Sequence, residues 1–161
     1  HDVETIVDLA ARFQENEIYF VIMGQGEKKP LLQKKIDEYG LKNCSLLPYQ
    51  KPKDFALSLS AADIGVVTLG RSASNLSVPS KTYNLMSVGV PLLCIADPTS
   101  ELNNLVQRYQ IGNCFQPAEL DEMRDYILDL KENRNKHQRL SENALKASLD
   151  FDSSNARKFV N

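Results

Sequence analysis

The segment from Val78 to Pro91 has the clearest potential for chemistry, because a helix start that suits an anion is followed by a helix end that leads into an apolar strand. Pro79 and Ser80 are residue types that begin helices, and the first backbone N–H groups of a helix have no partner inside it. Lys81 places a positive charge in the first turn, where it opposes the helix dipole unless an anion lies nearby. These residues indicate a phosphate site, although a solvated Lys81 explains them too.

Two other loops follow apolar, strand-like runs, and ligands of parallel α/β sheets bind beyond the carboxyl ends of the strands. The loop Gly24-Gln25-Gly26 lets backbone approach a ligand, and Pro48-Tyr49-Gln50 carries a ring that could frame a base. With the helix start at Ser80, these loops could hold a base, a ribose and a diphosphate. Simpler explanations stay open, since a tight strand-to-helix turn accounts for the Gly-x-Gly sequence and Tyr49 could be half-buried packing.

Other reactive residues are not spaced for catalysis or metal binding, and no Ser-His-Asp set, paired-carboxylate signature or metal spacing stands out. Asp63 lies between a helix and a strand, where a carboxylate commonly forms a turn, and His137 stands among charged residues typical of a solvated helix face. Cys44, Cys94 and Cys114 are widely spaced in or beside apolar runs. We therefore expect reduced core thiols in a cytosolic protein.

Composition indicates one ordinary globular domain, with 161 residues of which 42% are hydrophobic and 25% charged. The net charge of -2 and pI near 5.7 argue against a nucleic-acid binder, which usually has a basic face. No apolar run approaches the roughly 20 residues that span a bilayer, and no signal-peptide pattern opens the sequence. The sequence opens on a helical pattern with no strand before it, so we expect a fragment of a longer polypeptide.

Apolar periodicity divides the chain into alternating strands and helices. Ile18–Met23 is a continuous apolar run of the kind expected for a central strand buried on both faces, and the small, polar residues 70–77 predict a mobile surface loop. Further strands are expected at 44–47, 64–69, 91–96 and, at an edge, 113–115, with helices at 3–13, 30–39, 52–62, 79–89, 101–109, 120–131, 135–149 and 151–160. The alternation predicts a single α/β domain, a parallel sheet with helices on both faces.

The order of these features resembles the C-terminal half of a GT-B glycosyltransferase of the family 4 type, also called group 1. The most specific parts are Ala61-Ala62-Asp63 before a strand and Lys81 through Pro91, which ends in a Met-Ser-x-Gly-x-Pro pattern. The Pro-Ser-Lys sequence at 79–81 is most similar to enzymes of this type that build bacterial surface polysaccharides. The resemblance covers nearly all of the chain and implies a Rossmann-like domain that binds the nucleotide-sugar donor.

The resemblance also implies which residues bind the donor, with the start of the helix on the phosphates and the two loops beside the nucleobase. These residues are Gly24, Gln25, Gly26, Pro48, Tyr49, Gln50, Pro79, Ser80, Lys81, Thr82 and Asn84. Asn84 stands where the family has a ribose-binding glutamate, and Leu76 stands where it has another near the transferred sugar. An amide can accept one hydroxyl hydrogen bond but cannot supply the charge-assisted pair of a carboxylate.

The implied reaction moves a sugar from a nucleoside diphosphate to an acceptor hydroxyl in polysaccharide or glycoconjugate synthesis. Lys81 and the helix start would stabilise the departing diphosphate, without a metal or other cofactor. The acceptor domain, and the donor domain's first strand, glycine-rich loop and basic residues, would precede His1, so we expect the fragment alone to be inactive and a weakened nucleotide binder. The enzyme would be cytoplasmic, with peripheral membrane contact through the other domain.

Two other functions stay open at this point. One is a nucleotide-binding or regulatory module of flavodoxin-like type without transferase activity. The other is half of a sugar-nucleotide epimerase, which shares the GT-B layout but needs clustered carboxylates and a histidine near the donor.

Overall fold

The structure is a computed structural model that describes residues 2–13, 17–70 and 75–152. Its regular elements alternate along the chain as the apolar pattern predicts. In order they are α1 (Glu4–Ala10), β1 (Phe20–Met23), α2 (Lys29–Glu38), β2 (Cys44–Leu47), α3 (Pro52–Ser60), β3 (Gly65–Thr68), α4 (Ser80–Ser87), β4 (Leu92–Ile95), α5 (Glu101–Tyr109), β5 (Gly112–Phe115), α6 (Leu120–Glu132), α7 (Arg134–Ser148) and a short 3-10 helix (Leu149–Phe151).

The strands form two parallel sheets, one with β1 beside β2 and one in the order β3-β4-β5. Gly24 extends the first sheet by one bond, because its amide donates to the carbonyl oxygen of Leu47 at 3.1 Å. Strand β5 lies at an edge, as the sequence predicts. Within the described residues, β1 and β3 each have one strand partner, so the sheets are not joined by hydrogen bonds.

Helices cover both faces, which confirms the predicted α/β architecture. One hydrophobic cluster joins α1, α2 and α6 to residues of both sheets, including Phe20 and Ile95. The other joins α3, α4, α5 and α7 to the sheet of β3, β4 and β5. Strand β4 is buried throughout because it lies between two strands and contributes alternate side chains to the two clusters. None of the helices described is both long and apolar enough to cross a membrane.

The prediction that residues 18–23 form a central strand buried on both faces is wrong. The strand begins at Phe20, and its outward side chains Val21 and Met23 are 47% and 39% exposed. The reason is that, among the strands described, β1 pairs with β2 alone, and that the second cluster contains no residue of either strand. Alternating burial is the usual result when one face of a strand lacks a covering layer.

The ends of two predicted elements fall where the structure gives no description. Residues 71–74 of the predicted loop and 153–160 of the predicted last helix lie outside the described residues. Of that last helix, Phe151 instead closes the 3-10 turn after α7. Cys44 and Cys94 are buried free thiols as predicted, and Cys114 is a free thiol that is only partly buried.

Candidate functional site

Helix α4 begins without a side-chain cap. Pro79 precedes it in an extended conformation (φ -58°, ψ 137°), and Ser80 and Lys81 are exposed. The amide of Thr82 already donates to the carbonyl oxygen of Pro79 at 2.9 Å. Because the first N–H groups of a helix lack intrahelical partners, the amides of Ser80 and Lys81 are what this turn offers to an anion.

Lys81 adds a positive charge to the same turn. Among the described residues, no carboxylate lies within ion-pairing distance of its Nζ. Surrounding protein partly desolvates the ammonium and thereby lowers the pKa of Lys81. The residue is still exposed as a whole, so a ligand can reach a cation that has already lost part of its hydration.

Thr82 points into the protein instead of toward a ligand. It is fully buried, and its Oγ1 has no hydrogen-bond partner among the described residues. Its backbone amide already donates a hydrogen bond to the carbonyl oxygen of Pro79. The expectation that Thr82 contacts phosphate therefore conflicts with this geometry, because the residue is on the inner face of α4 with Leu85 and Met86.

Asn84 lies on the exposed side of α4. It is three residues after Lys81 and four after Ser80, a spacing that puts the three side chains on one helix face. Leu76, at the place of the other family glutamate, is also exposed. Asn84 can therefore reach the same ligand as the first turn, with an amide in place of a carboxylate.

The loop after β1 borders a cavity of about 500 Å³, lined by Gln25, Gly26, Lys29, Pro30 and Gln33. Gly24 has φ +146°, a conformation that side chains rarely adopt, which supports the interpretation of a glycine-dependent turn. Lys29 and Gln33 were not predicted from the sequence. Their position in the sequence could have indicated them, because they belong to the first turns of the helix that follows the Gly-x-Gly loop. The start of that helix lies at the carboxyl end of the strand.

The segment after β2 lies beside that loop because β1 and β2 pair in register. Tyr49 is 71% exposed, so the alternative of half-buried packing is wrong and its ring is free to stack. The side-chain amide of Gln50 donates to the carbonyl oxygen of Pro48 at 3.1 Å, which shapes the turn. The structure thus brings Gly24–Gly26 and Pro48–Gln50 together, while residues 79–84 belong to the second sheet.

Asp63, which the sequence places in a turn, and His137, which it places on a solvated helix face, meet in the structure. Nε2 of His137 donates to the carbonyl oxygen of Asp63 at 2.7 Å and so ties α7 to the turn before β3. In the part of the chain that the structure describes, no group of three or more His, Cys, Asp or Glu side chains could hold a metal ion. In the loop after β4, a polar side chain is used within the protein. Oγ of Ser100 caps α5 by accepting a hydrogen bond from the amide of Asn103 at 3.2 Å.

Sequence comparison identifies relatives over most of the chain. Residues 1–147 match the family described as glycosyl transferases group 1. The putative colanic acid biosynthesis glycosyl transferase WcaI of Escherichia coli K12 is 28% identical over 120 residues, which are 74% of this chain and 30% of that protein. The UDP-glycosyltransferase TURAN of Arabidopsis thaliana is 28% identical over 114 residues, 70% of this chain and 23% of that protein. The chain thus spans about a third or less of these relatives.

Solved structures share the fold. The crystal structure of Anabaena Alr3699/HepE in complex with UDP-glucose superposes with a TM-score of 0.78 at 20% identity, covering 97% of this chain and 43% of that one. A point mutant of S. aureus TarM, in a complex that contains UDP, superposes with a TM-score of 0.76 at 18% identity over 99% of this chain and 32% of that one. With a GT-B fold and a family match from residue 1 to residue 147, the chain belongs to the group 1 glycosyltransferases.

Proposed function

We propose that this chain is the donor domain of a glycosyltransferase and binds a nucleoside-diphosphate sugar. The observation that carries the proposal is the uncapped start of α4, where the amides of Ser80 and Lys81 and an ammonium without an ion pair among the described residues converge on exposed surface. A diphosphate matches this arrangement in charge and in its number of acceptor oxygens.

In this proposal the start of α4 stabilises the negative charge that develops during the reaction. As the bond from the sugar to the diphosphate breaks, negative charge grows on the departing phosphate oxygens. Amides and an ammonium that are already oriented stabilise that charge without reorganisation. Since one helix-dipole contact contributes only about 0.3–2 kcal/mol, Lys81 and the amides act together.

The nucleoside would lie beside the two loops after β1 and β2. The exposed ring of Tyr49 offers a stacking surface, and Gly24 and Gly26 allow backbone to approach the base edge. The side-chain oxygen of Asn84 would accept a hydrogen bond from one ribose hydroxyl. We propose uridine diphosphate as the nucleotide, because TURAN is named a UDP-glycosyltransferase and HepE has been crystallised with UDP and with UDP-glucose.

The acceptor would be bound by another domain of the same polypeptide, which would also carry any membrane contact of a cytoplasmic enzyme. Among the described residues β1 and β3 each pair with one strand, which leaves room for a further strand in the donor domain. Right-handed crossovers with α1 and α2 on one face put a strand that leads into α1 on the side of β1 opposite β2. That strand would join the two sheets. A donor domain without this strand and without the acceptor domain would be inactive.

The epimerase alternative gains no support from the site. It requires clustered carboxylates and a histidine near the donor, whereas His137 is bonded to the turn at Asp63. A non-catalytic nucleotide module would bind the same ligand, so it differs from a donor domain only in activity when the acceptor domain is present.

Calorimetric titration of the chain with UDP, GDP, ADP and CMP tests the proposal. Lys81→Ala is compared with Lys131→Ala, which removes an exposed lysine from α6 in the other helix layer. We expect selective binding of UDP that weakens at least about tenfold in Lys81→Ala, since hydrogen bonds to charged groups contribute about 1.5–3 kcal/mol, and no change in Lys131→Ala. The proposal is wrong if no nucleotide binds or if the two variants bind equally.

A further inference from the structure

The far end of α4 is fixed by α7. Gly89 adopts a left-handed conformation (φ +71°) after the helix, and the amides of Gly89 and Val90 donate to Met86 and Leu85 in the pattern that closes helices. The carbonyl oxygen of Gly89 accepts a hydrogen bond from Oγ of Ser141 on α7 at 2.6 Å.

Close packing reinforces this hydrogen bond. A β-carbon at residue 89 would lie 2.9 Å from Cγ of Leu145, one turn after Ser141, so any other residue at position 89 would displace that side chain. Ala144 and Ala147 on the same helix are buried in the cluster that contains α4. Helix α7 therefore holds the C-terminal end of α4 by one side-chain hydrogen bond and by the close contact of Leu145 with Gly89.

Helix α4 is short enough to transmit this constraint to its other end. It has eight residues and so is about 12 Å long. Its inner residues Thr82, Leu85 and Met86 are buried, and a β-carbon at Gly65 of β3 would lie 2.6 Å from Cδ1 of Leu85. A helix that is buried along one face and fixed at its C-terminal end leaves its first turn little freedom to rotate or slide.

We propose that Ser141 is a positioning residue for the first turn of α4, and that α7 thereby sets where Ser80 and Lys81 meet the donor. The inference rests on the proposed function, because it assumes that this turn holds the diphosphate. Anion binding by oriented amides depends steeply on distance and angle, so a small displacement of the helix is sufficient to weaken it. Ser141 has no contact with the ligand in this proposal and acts only through α4.

The chain supplies a matched control. Ser148 is on the same helix, and its Oγ also donates to a carbonyl oxygen at 2.6 Å, but that acceptor is Leu145 of α7 itself. Ser141→Ala and Ser148→Ala therefore each remove one hydroxyl and one hydrogen bond of equal length, and only the first cuts a link to α4. Ser141→Thr keeps the hydroxyl and serves as the rescue.

Two measurements are made on each variant: UDP affinity by calorimetry, and the titration of Lys81 followed through its Cε signal by NMR. We expect Ser141→Ala to weaken UDP binding at least about fivefold, at the low end of couplings between distant groups. We also expect Lys81 to titrate at higher pH in this variant, because a displaced turn is better hydrated. Ser148→Ala should leave both values unchanged, and Ser141→Thr should restore them.

The NMR titration separates this inference from the proposed function, since it needs no nucleotide. If the unmodified chain does not bind UDP, the proposed function fails, and the Lys81 titration still tests whether Ser141 positions α4. If Ser141→Ala and Ser148→Ala give the same Lys81 titration and the same affinity, the positioning role is refuted.

Discussion

Gly65 of β3 lies directly beneath Leu85 of α4. A β-carbon at residue 65 would be 2.6 Å from Cδ1 of Leu85 and 2.7 Å from Cδ2, closer than side chains pack. The helix that presents Ser80 and Lys81 is therefore seated on the strand through a glycine.

Replacement of Gly65 by alanine should destabilise the fold moderately. The atoms that clash are the ends of a leucine side chain, which can move at some cost, so we expect a loss of about 1–3 kcal/mol in the free energy of unfolding. Urea denaturation measures it, with Gly26→Ala as the control because no atom lies within 4 Å of the added carbon. Equal stability of the two variants would contradict this packing.

Gly112→Ala should be more damaging than Gly65→Ala. Its β-carbon would lie 2.0 Å from the backbone oxygen of Leu92, the residue that it faces in the register of β4 and β5. Backbone in a buried central strand cannot shift as a leucine end can, so the edge strand must separate. The same urea series checks the order of the two losses, and a smaller loss for Gly112→Ala would refute it.

Thr82→Val should stabilise the protein by about 1 kcal/mol, because it removes a buried hydroxyl that has no partner among the described residues while keeping a similar shape. Thr82→Ser keeps the hydroxyl, loses the methyl group and should be less stable than wild type. Thermal unfolding measures both, and UDP affinity should not change in Thr82→Val. Loss of affinity in that variant would show that the hydroxyl contacts the donor after all.

Lys81→Met should raise stability at neutral pH while lowering donor affinity. Burial lowers the pKa of Lys81 from its ordinary value of 10.5, so the unfolded chain binds the proton more tightly than the folded one. The free energy of unfolding of the wild type should therefore increase, relative to that of the variant, as the pH rises through the lowered pKa toward 10.5. Unfolding measured from pH 7 to 10.5 tests this, and a variant less stable than wild type at pH 7 would be the opposite result.

The fold was predictable from the sequence wherever the pattern was local. Apolar runs and glycine or proline at their ends located all five described strands, including the edge strand at Gly112–Phe115. Pairing was not predictable to the same degree. The apolar residues 18–23 predict a strand that is buried on both faces. The exposure of that strand depends instead on which strands and helices pack beside it, and this is not encoded locally.

The candidate site was predictable in its backbone and less so in its side chains. Pro79 and Ser80 indicated the helix start, and α4 does begin at Ser80 after Pro79, although no side chain caps it. The inward direction of Thr82 depends on where β3 lies under α4, and the role of Lys29 depends on a cavity shape. Such facts arise from tertiary packing, which residue types do not encode one by one.

The most direct test of the donor-domain proposal is the map of backbone amide NMR shifts on titration of the chain with UDP. We predict that the largest changes occur at Ser80 and Lys81, followed by residues 24–26 and 48–50, and that Lys131 on α6 is unaffected. Changes centred instead on the cavity formed by Asp8, Arg12 and Tyr39, or the absence of saturable changes at Ser80 and Lys81, would contradict it.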